Sequence, residues 1–180
     1  SPSPSPIVVD VLPGPMTDES TTFSGDTFVA TASTTRATEW FPYQAFDDTQ
    51  SCTPARDCGW GSRRRYSDVD GSYTGSLSTT VSGTARSGEW LQLQLPAAKN
   101  LYAYALHPAP TTLDGGPTAF VIAGSNDATT WVELDEQTGI TWPTAAAQTF
   151  WVSNPHDGSY TYFRLIAQST TSGQRLSIAE

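Results

Sequence analysis

Gly88–Leu95, GEWLQLQL, decides the fold class. Leu91, Leu93 and Leu95 alternate with Trp90, Gln92 and Gln94 in a strict period of two. An extended chain throws successive side chains to opposite faces, so this pattern predicts a strand with one apolar face in a two-layer sheet. Outward from it the pattern repeats. TFVATAS (27–33) precedes it, and LYAYALH (101–107), AFVIAGS (119–125) and TWVEL (130–134) follow. TFWVS (149–153), YTYFRLIAQ (160–168) and RLSIAE (175–180) complete the series. These runs are rich in aromatic and β-branched residues, turn residues separate them, and no window carries a sustained helical stripe. Many short strands at near-even spacing predict an all-β sandwich or barrel. Trp60, Trp90, Trp131 and Phe163 read as core, while Trp142 and Trp151 are open to either side. Long polar stretches at 47–88 and 108–118 interrupt the series, and loops of that length in a compact domain commonly carry function.

The chain has 180 residues, a formal net charge of −9, 15% charged residues and a single lysine, Lys99. That balance argues against nucleic acid as a partner and against docking on anionic membranes through a basic surface. No apolar run is long enough to span a membrane. The first residues, SPSPSP, alternate Ser and Pro as extended linkers do, and IVVDVL (7–12) reads as an edge strand ended by Pro13-Gly14-Pro15. The expected organisation is a linker and opening strand over 1–20 and a β-sandwich domain over 21–180, tethered to a larger protein. Asn100, Asn126 and Asn154 all miss the Asn-x-Ser/Thr pattern, so N-glycans do not enter the argument. Cys52 and Cys58 lie in SCTPARDC. In an extracellular setting they would close a short disulfide loop, contributing roughly 2–3 kcal/mol. Free thiols or half of a metal site are the alternatives, although neither His lies near.

In order along the chain stand QAFDD (44–48), Trp60, GEWLQLQLP (88–96), YALHP (104–108), PTAFVIAGSNDATTWVELDEQTGITW (117–142), YTYFRLIAQ (160–168) and a terminal SIAE (177–180). From about Trp40 to Glu180 this resembles a discoidin domain, also called the coagulation-factor C-type domain, close to the carbohydrate-binding modules of family 32. The resemblance implies a discoidin-like jelly-roll β-sandwich of about eight main antiparallel strands with variable apical loops. Those loops bind sugars on cell surfaces and, in some members, lipid or protein. It also implies an extracellular setting at a cell surface, and the Ser-Pro composition of the opening linker is associated with a cell wall or a virion.

The resemblance further implies a structural calcium ion between the loop after the AFD motif and the end of the last strand. Calcium takes six to eight hard oxygens. Carried onto this chain, Asp47 and Glu180 would supply carboxylates, Gln44, Cys52 and Ala179 backbone carbonyls, and Thr49 a hydroxyl or carbonyl. Asp47-Asp48-Thr49 departs from the family's usual Asp-Gly start, and the Cys-bounded insertion leaves Thr53 as an alternative to Cys52. The plainer reading has Asp47 and Asp48 capping a turn.

Arg63-Arg64-Arg65-Tyr66 is the sharpest local anomaly, with three of the eight arginines together in an acidic chain. A guanidinium grips a carboxylate or sulfate bidentately and an aromatic face stacks on a sugar, so the run points to an anionic glycan. A solvated loop whose arginines offset Asp57, Asp68 and Asp70 is the plain alternative. His107, at a strand end, and Tyr73 are further candidates, each with a structural role as its alternative. Galactose-binding relatives add an Arg and an Asn from the loop after this His. PAPTTLDGGP offers neither, only Asp114, so no particular sugar carries over.

The leading expectation is an extracellular module that attaches a larger protein to a cell-surface or cell-wall polysaccharide. A polysaccharide-degrading enzyme is the rival class. A glycosidase needs two carboxylates about one bond; a lyase needs a cation to neutralise a uronate and a Tyr or His to move the proton. Arg64, Tyr66 and His107 are of the right types, but no Ser-His-Asp order and no catalytic zinc motif is present. A protein-binding adhesive head is the third reading, and it predicts an exposed apolar loop cluster.

Overall fold

The alternating run at 88–95 lies at the heart of a six-stranded antiparallel sheet. The computed structural model describes residues 14–37, 40–49, 59–109, 115–152, 158–171 and 173–180. The strand read at 7–12 lies outside them. Strands β1 (Ser20–Phe23), β2 (Asp26–Ala32), β3 (Trp60–Gly61), β4 (Ser78–Val81), β5 (Thr84–Ser87) and β6 (Glu89–Lys99) form the first half. The second half holds β7 (Ala103–Leu106), β8 (Pro117–Ser125), β9 (Val132–Gln137), β10 (Gln148–Trp151), β11 (Tyr160–Thr170) and β12 (Ser177–Ile178). A 3-10 turn over Pro42–Phe46 is the one helical element among the described residues. The large sheet runs β1-β2-β6-β11-β8-β9, and the pairs β7–β10 and β3–β12 lie across its inner face. This is an all-β sandwich, as the spacing of the runs predicts.

Register makes the pattern legible. Leu91 pairs with Leu165 and Leu93 with Phe163, placing one set of side chains toward the second layer. There Leu91, Leu165 and Phe163 join Trp60, Phe120, Ile122, Phe150 and Ile178 in the main core, while Leu93 packs in a neighbouring cluster with Met16, Phe28 and Leu95. Burying each such side chain contributes roughly 1.5–3 kcal/mol. Trp60 has no exposed surface, and its indole N–H donates to the Thr34 carbonyl at 3.0 Å. Trp142 is buried too, donating to the Pro117 carbonyl at 2.9 Å, whereas Trp151 is 53% exposed.

Trp90 and Trp131 pack on the other face of the sheet. The polar stretch 47–88 is only partly loop: β4 and β5 form a hairpin whose Val81 is fully buried with Val121, Ala123, Trp131 and Ile166. Its two-residue turn, Ser82-Gly83, has both residues at positive φ (48° and 81°), which matches the twist of tight hairpins. Between the tryptophans lies Arg164, its guanidinium 4.0 Å from one ring centroid and 4.1 Å from the other. Gln92 Oε1 accepts from Arg164 Nη2 at 2.7 Å. The polar face of GEWLQLQL is thus a second packed surface, and both faces of the sheet's centre are covered.

Candidate functional site

Antiparallel pairing brings the end of β2, the start of β6, the start of β8 and the end of β11 to one end of the sandwich, through Ala32↔Leu91, Ala167↔Glu89 and Thr170↔Pro117. The arginine run is fixed there by its backbone. Arg65 donates its amide to the Gln174 carbonyl at 2.9 Å, and Ser62 exchanges bonds with Leu176. Arg63 donates its amide to Thr34 Oγ1 at 3.0 Å, and Arg36 to the Gly61 carbonyl at 2.7 Å. Segments 33–36, 61–66 and 173–176 therefore form one platform. Arg63, Arg64 and Arg65 are exposed on it. Arg36 lies over the Trp40 ring, 4.6 Å from its centroid. Burial first, and then the charges of Arg36 and Arg64, hold the Arg175 guanidinium below its usual value. Five of the chain's nine basic residues collect in these three segments. Arg36 and Arg175 were not legible as site residues: nothing in TTRATEW or GQRLSIAE marks them, and only the fold brings them to Arg64.

Tyr66 corrects a sequence expectation. It is 4% exposed, and its hydroxyl donates to the Ala167 carbonyl at 2.8 Å and accepts the Glu89 amide at 3.1 Å. Burial pushes its phenol well above the usual value. Its ring belongs to the core and presents no face to a sugar. Tyr73 is half-buried, edge-on to Tyr66 at 5.3 Å, and its hydroxyl accepts the Leu77 amide at 3.2 Å. Glu89 beneath them is fully buried, its Oε2 accepting from the Ser33 and Thr34 hydroxyls. Asp114 lies outside the described residues.

His107 is tied to the C-terminal segment: it donates its amide to the Glu180 carbonyl at 2.7 Å and accepts the Ala179 amide at 2.8 Å. Glu180 also meets the turn after the 3-10 element, where Asp48 donates its amide to Glu180 Oε2 at 3.1 Å. Within that turn Asp47 Oδ1 accepts the Thr49 amide at 2.9 Å. Gly59 (φ +86°) sits so close to Ile178 and Ala179 that a Cβ there would strike their backbone, which explains a glycine at that point. The fold thus brings the 47–49 turn and Glu180 together. The residues there offer oxygen donors, the type a hard cation such as calcium takes, but among the described residues no three His, Cys, Asp or Glu side chains are grouped to hold a metal. Cys52 and Cys58 lie outside the described residues. A cavity of about 590 Å³ separates the layers nearby, lined mainly by apolar side chains from β6, β7 and β11, with Asp48, Lys99, His107 and Glu180 also on its wall.

Two layers of antiparallel strands, a platform of loops at one end and a last segment, Ala179–Glu180, held against the turn after an AFD motif define a discoidin-type sandwich. The model of the F5/8 type C domain matches residues 29–180, and the chain belongs to that family. No curated protein matches it significantly. Among solved structures it is similar to the family 32 carbohydrate-binding module of Clostridium perfringens NanJ, determined in complex with galactose. That match has a TM-score of 0.59 and 16% identity, over 85% of this chain and 90% of that one. A second Clostridium perfringens family 32 module, in complex with GalNAc-β-1,3-galactose, gives a TM-score of 0.60 at 15% identity, covering 85% and 91%. The family 32 module of AlyQ, in complex with 4,5-unsaturated mannuronic acid, gives 0.55 at 16% identity, covering 84% and 90%.

Proposed function

We propose that this domain is a non-catalytic glycan-binding module, and that the loop platform around Arg64 holds its ligand, an acidic cell-surface or cell-wall polysaccharide. The observation that carries this is the gathering of exposed arginines on the loop end of a discoidin-type sandwich in a chain of net charge −9. Similar modules are solved with galactose and with an unsaturated mannuronic acid, so the fold accommodates neutral and acidic sugars alike. The module would act outside the cell, attaching a larger protein to its target.

The catalytic reading is the weaker one. A general acid needs a raised carboxyl pKa. Asp70, beside the platform, is held below the usual carboxylate range by the amide and hydroxyl of Ser72. Tyr66, the candidate proton carrier of a lyase, has its hydroxyl committed inside the core. Incubation with neutral and uronate-bearing wall polysaccharides tests the choice. Retention without release of sugar or unsaturated product is expected; product release would overturn the binding-module reading.

Asp47, Glu180, the Gln44 and Ala179 carbonyls and Thr49 would hold a structural calcium ion, with Cys52 supplying a further carbonyl. The support is the contact between the 47–49 turn and Glu180. The ion would neutralise two carboxylates and join the turn to the C-terminus, away from the ligand. Cys52–Cys58 as a disulfide would close the loop that follows.

A further inference from the structure

Arg36, Arg64 and Arg175 are far apart in sequence and come together on three backbone-bonded segments. Arg36 is set over Trp40, which is itself 5% exposed, so the guanidinium rests on a fixed base. Arg175 Nε is buried and without a hydrogen-bond partner among the described residues. The only ion pairs among those residues join Arg86 to Glu133 and Glu136, at 2.6 and 2.7 Å. Three carboxylates lie near the platform, and Asp70 is engaged by the amide and hydroxyl of Ser72. Asp68 Oδ2 accepts from Gln174 Nε2 at 3.2 Å, and Glu89 is buried beneath with Oε2 held by two hydroxyls.

Arg175 feels the like charges of Arg36 and Arg64, and an anion bound among the three would relieve both repulsions. Guanidinium edges match carboxylate and sulfate oxygens bidentately. We propose that Arg36, Arg64 and Arg175 form a single anion subsite that takes the carboxylate or sulfate group of an acidic polysaccharide, making the module selective for the charged over the neutral form of one backbone. The inference rests on the glycan-binding reading and adds the residues and the charge selectivity.

Affinity electrophoresis tests it, using gels that contain polygalacturonate, its methyl ester, dextran sulfate or dextran. A chain of net charge −9 is repelled by acidic polymers as a whole, so retention by one reports a local site. Wild type should bind one acidic polymer about tenfold more tightly than its neutral counterpart at low salt, and Arg64→Gln should lose about that factor. Which acidic polymer is retained separates carboxylate from sulfate. Lys99→Gln, at the opposite end of β6, should bind as wild type does. Arg175 is half-buried, so Arg175→Gln counts only if its melt is cooperative; exposed Arg64 carries the test by itself. Equal retention of charged and neutral polymers, unaffected by Arg64→Gln, would overturn the subsite and leave glycan binding standing. No retention by any polymer, with a melting shift in inorganic sulfate that Arg64→Gln abolishes, would keep the subsite and sink the glycan reading. Absence of both effects would remove both.

Discussion

Tyr66 spends its hydroxyl twice, on the Ala167 carbonyl and the Glu89 amide, and so locks the arginine segment to the end of β11 and the start of β6. Tyr66→Phe leaves both backbone groups buried without that partner. It should lower stability by about 1–3 kcal/mol in chemical denaturation while leaving polysaccharide retention unchanged. Lost retention at full stability would return the ring to the binding surface. Asp47 is the other decisive position. Asp47→Ala should lower the melting temperature and remove its dependence on chelator, because the calcium-binding free energy adds to that of the folded state. A wild-type melt that does not respond to chelator would count against the site. Neither role separates cleanly by residue type. A tyrosine after three arginines has the composition of a sugar platform whether its ring points out or in, and burial is decided by residues a hundred positions away.

At the scale of elements, the hairpin β4–β5 turns a sheet face into a second core. Val81→Ala should cost about 2–3 kcal/mol, since the methyls removed leave a void among Val121, Trp131 and Ile166. Arg164 is held by two indole faces and Gln92. Arg164→Ala should destabilise by about 1–3 kcal/mol in a urea melt. Strands β2, β6, β8 and β11 of the large sheet were legible because apolar, aromatic and β-branched residues persist over seven or more residues, and the six-residue β9 because TWVEL opens it. β3 has two residues, too few for any period, whereas the equally short β12 falls inside the RLSIAE run read from the sequence. The hairpin was hidden in a polar stretch because STTV and TARS bury only Thr79 and Val81. Its turn signal, Ser82-Gly83, is weaker than Asn-Gly.

For the whole molecule, buried tyrosines set the alkaline limit. Burial raises the pKa values of Tyr66 and Tyr104, the latter with its hydroxyl donating to Asp135 Oδ2 at 2.6 Å. A raised folded-state pKa means stability fully present below the unfolded value and lost as pH rises above it. Stability should therefore hold below about pH 10 and then fall by up to about 1.4 kcal/mol per pH unit for each protected tyrosine. Tyr104→Phe should flatten that limb of the curve; an unchanged slope would show that Tyr104 does not set it. The sequence by itself determined the strand pattern, the sandwich and the family, because these follow from local alternation and from motifs contiguous in the chain. Tertiary structure alone decided which aromatic rings are inside, that a hairpin covers the outer face, and that Arg36 and Arg175 join Arg64. Those outcomes depend on antiparallel pairing between segments separated by up to about 120 positions, and no local period encodes such a meeting.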